Sequence, residues 1–280
     1  MTTTTNDTPP TTSAIQAAAP SGGYAPRPLT QQAVLVVGGT SGIGLAIAEG
    51  FAAAGARVAI AGRDRERGAA ALARLDQAHF LQADTADPDQ TAALFEAAEA
   101  RLGGIDTVVL STGGNRLPML LKDQSLAEVQ AGLTEDLAPF LLAGRAALPA
   151  LVRTGQRGGS GAVIAIASDA GKVATPGEAV IGAGMAAIIQ FMRGLAIEGK
   201  RDGIRANTIT PSLVEGTPLT ERLMAPGTFS AKLFAKARPL AHLGPTEAAD
   251  LAALAVFLAS PAARRITGQA ISVNGGISAA

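Results

Sequence analysis

The stretch AVLVVGGTSGIG, Ala33 to Gly44, runs from an apolar, β-branched segment straight into a helix start. Its glycines 38, 42 and 44 suit three needs of a bound pyrophosphate: a tight turn, a close approach of backbone to phosphate, and close packing of strand against helix. The free N–H groups of the helix that follows then face the anion. Strand-to-helix turns often carry glycine. Here strand, spacing, helix and next strand occur together as one βαβ unit, and that combination indicates a dinucleotide site. The second apolar segment ends VAIAGRDRE, so Gly62 is followed by Arg63 rather than by an acid. A carboxylate there would accept from a ribose 2′-hydroxyl and repel a 2′-phosphate, whereas a guanidinium suits the phosphate. NADP(H) is therefore expected over NAD(H), although Arg63, with Arg65 and Arg67 close by, also reads as an ordinary exposed loop arginine.

Around these residues, short β-branched runs alternate with longer Ala-rich helical patterns. Strands are expected at Ala33–Val37, Arg57–Ala61, His79–Gln82, Thr107–Leu110, Ala162–Ala167, Arg205–Ile209 and Ala270–Val273. Helical patterns fall at Gly44–Ala54, Gln90–Leu102, Phe140–Arg153, Ala186–Glu198 and Glu247–Ala259. That alternation predicts an α/β fold, a doubly wound parallel sheet with helices on both faces, in a single domain over residues 29–280. Long connections at Asn115–Ser125 and at about 211–245 leave strand ends where a substrate cover would be built.

The totals fit this reading. Of 280 residues, 48% are hydrophobic and 16% charged, with 23 basic and 23 acidic side chains, so no bulk charge calls for nucleic acid or an anionic membrane. No cysteine is present, which removes disulfides, thiolate chemistry and cysteine-ligated metal. No run reaches the roughly 20 apolar residues of a membrane span. The Thr/Pro/Ala-rich start, residues 1–28, reads as a disordered tail without signal-peptide features, and a cytoplasmic location is expected. His79 and His242 stand apart, without a ligand set for a metal.

The G-x-x-x-G-x-G spacing resembles that of the short-chain dehydrogenase/reductase family. So do ADT at Ala83–Thr85, the Pro211 turn after NTIT, and the segment from Arg238 to Gly276 with RPLAHLG, FLAS and ITGQAISVNGG. The resemblance covers Gln32 to Gly276. It implies a Rossmann-type sheet of seven parallel strands, a homodimer or homotetramer built on helix–helix contacts, and a nicotinamide cofactor. Gly38, Thr40, Ser41, Gly42, Ile43 and Gly44 would cradle the pyrophosphate, and Asp84 and Thr85 would lie at the adenine. Ser111 to Gly114 would pass beneath the cofactor, reading STGG where the family usually has Asn-Asn-Ala-Gly, and Gly113 keeps a glycine there. Pro211 and Thr217 would flank the nicotinamide, with Thr217 one residue later than usual and Ser212 in place of a glycine.

Family reductases protonate the nascent alkoxide with a tyrosine. A lysine four residues later holds the nicotinamide ribose, and a serine thirteen residues before the tyrosine bonds the carbonyl. AVIAIASDAG matches the serine strand, so Ser168 is the counterpart; the other two positions are then Ile181 and Met185. The chain's one tyrosine is Tyr24, and no lysine lies between Lys172 and Lys200. AVIGAGMAAIIQFM, Ala179 to Met192, thus carries no group that handles a proton where the resemblance expects one. An enoyl-reductase-like spacing instead places its tyrosine at Glu178. The asparagine that the family often supplies from the long preceding helix falls on Glu135 or Asp136. Possible substitute acids are Glu135, Asp136, Asp169 beside the serine, Lys172 and Glu178, and each is also an ordinary loop or helix-start residue.

Three functions remain open from sequence. One is an NADP(H)-dependent oxidoreductase of unusual substrate or mechanism, acting on a small molecule. Another is a catalytically inactive family member that binds NADP(H) as sensor or partner subunit. The third is a lyase or isomerase without net hydride transfer.

Overall fold

The computed structural model describes residues 23–113 and 116–280. Its seven-stranded sheet is formed by β1 (Ala33–Val37), β2 (Arg57–Gly62), β3 (His79–Gln82), β4 (Thr107–Leu110), β5 (Gly161–Ile166), β6 (Ile204–Pro211) and β9 (Ala270–Val273). The order is β3-β2-β1-β4-β5-β6-β9. All neighbouring pairs are parallel. The chain runs outward from β1 to β3, then crosses back so that β4 lies on the other side of β1. Ligands of open α/β sheets bind beyond the carboxyl ends of the strands at such a reversal.

Strand periodicity divides the core. Leu35, Val37 and Val108 face one layer with Phe140, Leu151 and Met192. Val34, Val36 and Ile60 face the other, with Ile47, Phe51 and Leu258. The first layer is covered by α3 (Pro88–Leu102), α5 (Ala138–Gln156) and α6 (Ala179–Gly199), the second by α1 (Gly42–Ala53), α2 (Arg65–Leu72) and α9 (Ala248–Ala259). Four expected strands match to the residue, and the others shift by one or two at an end, where pairing rather than composition decides the limit.

Two short helices were not legible as separate elements. One is α2, capped by Asp64, and the other is α4 (Leu126–Gly132), closed by a capping box of Ser125 and Glu128. A π turn at Leu133–Leu137 then joins α4 to α5. The long connection after β6 is likewise structured. It holds β7 (Val214–Glu215), paired with β8 (Thr246–Glu247), as well as α7 (Pro218–Leu223) and α8 (Phe229–Ala237). These pack on a small apolar cluster of their own, Leu213, Leu223 and Phe234.

Two expectations are corrected. Met1–Gly22 of the expected tail lies outside the described residues, but residues 23–28 pack on the domain. The Tyr24 hydroxyl donates to the Arg201 carbonyl at 2.8 Å, and Arg27 pairs with the buried Asp106 at 3.5 Å. Two continuous helical stretches, Leu126–Gln156 and Ala179–Asp202, are also long and apolar enough to cross a bilayer by length and composition. Both lay one face on the sheet, where their apolar side chains complete the core of the first layer.

Candidate active site

Gly38 leaves β1 at φ +82°, and its N–H donates to the Ala61 carbonyl at 2.9 Å. A Cβ here would fall on the Ser111 carbonyl oxygen, and one at Gly44 would fall on the carbonyl oxygen of Gly38. The glycines therefore allow turn, neighbouring loop and helix to close on one another. Gly42 differs: at φ +53°, its Cβ position meets nothing nearer than Pro218 at 3.8 Å. Only glycine leaves that backbone approachable. Ser41 is the N-cap of α1 and makes no side-chain cap bond. By contrast, α2, α3, α4, α7 and α8 are capped by Asp64, Asp87, Ser125, Thr217 and Thr228. The N–H groups at the start of α1 are thus left for another acceptor, and Gly42, Ile43 and Gly44 line a cleft.

That cleft, about 350 Å³, shares Gly38, Ser41, Ser111, Thr112 and Gly113 with a second cavity of about 970 Å³. The larger one lies over the ends of β1 to β3, against Thr40, Gly62, Arg63, Asp84 and Thr85. On the shared wall, the Thr112 hydroxyl is buried and has no hydrogen-bond partner. An elongated groove, an uncapped helix start and an orphaned hydroxyl together fit a dinucleotide. Arg63 is exposed and lies 3.9 Å from Asp84, while Arg67 lines both cavities. Thr85 is buried and its carbonyl accepts from Thr91 at 3.2 Å. Gly114 lies outside the described residues.

The smaller cleft holds Ser168 at the end of β5, with Ile181, Met185 and Pro211. The Ser168 Oγ accepts from the Ala170 N–H at 3.2 Å. Met185 is buried, and no titratable group stands at either α6 position. Thr217 lines the cleft, but its hydroxyl is committed. It caps α7 through the Thr220 N–H at 3.2 Å and donates to the Val214 carbonyl at 3.1 Å.

The candidate acids separate by location. Asp169 is turned out of the cleft into a buried cluster, bonded to Ser272 at 3.0 Å, Ser278 at 2.9 Å and Asn274. Lys172 joins that cluster, with Nζ 3.6 Å from Asp169. Glu135 and Asp136 line the larger cavity, not the cleft of Ser168. Asp136 is the buried one of the two, and its Oδ2 accepts from Arg116 Nε at 3.2 Å. Arg116, which sequence reasoning missed, also donates to Glu135 at 3.4 Å and to the Glu128 carbonyl at 3.0 Å. Glu178 alone of these candidates shares the cleft with Ser168. It is the N-cap residue of α6; burial pushes its carboxyl above the usual glutamate range, and a hydrogen bond with Thr175 offsets part of that rise. Among the described residues, no cluster of His, Asp and Glu could hold a metal.

A family model described as "Enoyl-(Acyl carrier protein) reductase" matches residues 37–278. An uncharacterized oxidoreductase of Mycobacterium tuberculosis is 33% identical, covering 89% of this chain and 93% of its own. The 3-oxoacyl-[acyl-carrier-protein] reductase FabG of Chlamydia trachomatis is 32% identical over 89% and 98% of the two chains. Among solved structures, a 3-ketoacyl-(acyl-carrier-protein) reductase from Brucella melitensis, complexed with NADH, superposes with a TM-score of 0.81 at 28% identity. That match covers 90% of this chain and all of the other. With this sheet order, this glycine turn and these matches, the chain belongs to the short-chain dehydrogenase/reductase family of oxidoreductases.

Proposed function

We propose that the protein is an NADP(H)-dependent oxidoreductase of a small molecule that works without the family's tyrosine general acid. The observation carrying this is one groove with two unlike ends. Arg63 and Arg67 flank the end of β2, where a 2′-phosphate would lie, while Ile181 and Met185 wall the cleft at Ser168. Gly38 to Gly44 would hold the pyrophosphate, Asp84 and Thr85 the adenine end, and Ser111, Gly113 and Pro211 the floor. When bound, the reduced nicotinamide supplies a hydride. Ser168 would orient the acceptor by hydrogen bonding, and α7 and α8 would exclude water. A positioned acid–base pair contributes about 10²–10⁴-fold, so ordinary ketones should be poor substrates. The domain would work in the cytoplasm as a dimer or tetramer.

Titration with NADPH and with NADH, followed by nicotinamide fluorescence, tests the cofactor. The chain has no tryptophan to interfere. Tight NADPH and weak NADH binding is expected; binding of neither would remove the assignment. The burial of Met185 in the α6 core favours a second reading, an inactive NADP(H)-binding subunit. Carbonyl reductase activity gained by Ile181→Tyr with Met185→Lys would show the rest of the site to be competent and count against that reading.

A further inference from the structure

Beyond Ser168 the cleft is walled by Ile181 and Met185 of α6, Leu219 and Leu223 of α7, and Phe234 of α8. Among the described residues lining it, Glu178 is the one carboxylate. The cationic lining residues are Arg67, Arg116 and Arg222. Arg67 contacts Asp64 at 3.5 Å, Arg116 is spread over three acceptors, and Arg222 is also engaged. Asp169 and Lys172, on the segment leading to α6, face the C-terminal cluster, and the α8 lysines 232 and 236 do not line the cleft.

We propose that the cleft takes a substrate whose reacting group is a carbon–nitrogen double bond, and that Glu178 is the catalytic residue that meets its nitrogen. The inference rests on the oxidoreductase reading above and adds the substrate class.

Charge decides the substrate class. Hydride addition to a ketone builds negative charge on oxygen, which needs a donor and a nearby cation to hold it. The α6 positions offer isoleucine and methionine, the three lining arginines are already engaged, and Glu178 in its ionised form would repel an alkoxide. An imine reverses the sign. Protonated on nitrogen, it is a cation that a carboxylate stabilises in an apolar cleft, and hydride addition ends at a neutral amine with no oxyanion to support. The proton balance also closes. The Glu178 O–H bond breaks as the N–H bond forms, leaving a carboxylate beside an iminium. Hydride, which a bound reduced nicotinamide would supply, would add to carbon while the π pair passes to nitrogen, and solvent hydronium would reprotonate Glu178, so that each turnover consumes one proton. Burial has already moved the Glu178 carboxyl above the usual glutamate range, the direction that favours holding a proton to give.

The test separates recognition from turnover. N,N-dimethylpiperidinium, a cyclic cation that does not titrate, is measured by calorimetry against the whole protein beside the neutral ring tetrahydropyran. The cation should bind, with affinity falling as acidification protonates Glu178. Glu178→Gln should weaken the cation by about tenfold or more and leave tetrahydropyran unchanged. Equal cation binding by both proteins, or no pH dependence in the wild type, would overturn the role of Glu178. The wild-type pH series does not depend on the variant folding. In turnover with NADPH, a cyclic imine such as 2-methyl-1-pyrroline should be reduced faster than cyclopentanone, and the opposite order would overturn the substrate class. NADPH titration is read separately, so loss of the cofactor reading is distinguishable from loss of this one.

Discussion

At the scale of single residues, Glu178 is set apart from the other acids by its surroundings. An acid whose folded-state carboxyl titrates above its unfolded value binds more protons folded than unfolded across that window. Stability therefore falls as pH rises from the usual glutamate range through the folded value, and the loss is complete at higher pH. Glu178→Gln removes this slope. The variant should be more stable than the parent at neutral pH and should gain nothing below the usual glutamate range, which urea unfolding at two pH values would show. Such a reserve of stability spent on an ionisable group is expected at a working site rather than in a packing position. At the other end of the groove, Arg63→Ala should weaken NADPH by about tenfold, the worth of one charge-assisted contact, and leave NADH unchanged in the same fluorescence titration. The glycine turn and Ser168 were read from local spacing, and the structure sets them on one cleft. The acids were not legible in this way. Asp169 is captured by Ser272, Asn274 and Ser278, and Asp136 by Arg116, partners that sit far away along the chain and carry no mark of the pairing.

Among the elements, β1, its turn and α1 form the unit that positions the groove, and their contact is backbone on backbone. A methyl group at Gly44 would land on the Gly38 carbonyl with no side chain to move aside. Gly44→Ala should therefore cost about 1–3 kcal/mol, the range for overpacking, and lower the denaturant midpoint together with NADPH affinity. An unchanged midpoint would mean that α1 can slide along β1. Central strands announce themselves because both faces are buried, so β1 reads as an uninterrupted apolar run and β4 as one from Val108 onward. By contrast, α4, α7 and α8 have only 7, 6 and 9 residues and too few turns to show a period. Leu223 and Phe234, from α7 and α8, become a core only after the connection folds back on itself with Leu213. The π turn before α5 is invisible to a 3.6-residue pattern, yet it is the place where Asp136 turns inward beside Gly113.

Taken as a whole, the described residues leave one side of the helical layer without cover. On the outer face of α5, Arg145, Leu148, Pro149, Val152 and Gln156 recur at helical spacing around a shallow groove of about 510 Å³. Nearby in the same layer, Ile197 of α6 is 64% exposed. A stripe with an apolar floor and a polar rim is suited to meet its own copy across a two-fold axis, where each residue faces the stripe that contains it. The balanced 23 positive and 23 negative side chains set no long-range repulsion against that approach. Burying the stripe within an interface of the usual size, roughly 1,600 Å² in total, would cover these side chains and hold α5 and α6 against the sheet. Sedimentation velocity should then give a dimer or tetramer at micromolar concentration. Val152→Glu, which places a desolvated charge in the floor of the stripe, should shift the protein toward monomer without touching any residue of the dinucleotide groove. A wild-type monomer would mean that the α5 face meets water or a different partner. A variant that stays assembled would place the subunit contact on another surface. Because α6 carries both Glu178 at its start and Met185 one face inward, the cleft would loosen on loss of assembly if a neighbouring subunit holds the α6 start in place. NADPH affinity should fall in the Val152→Glu monomer only if the α6 start depends on the neighbouring subunit for its position, and comparing the two titrations decides whether the site is complete in one chain.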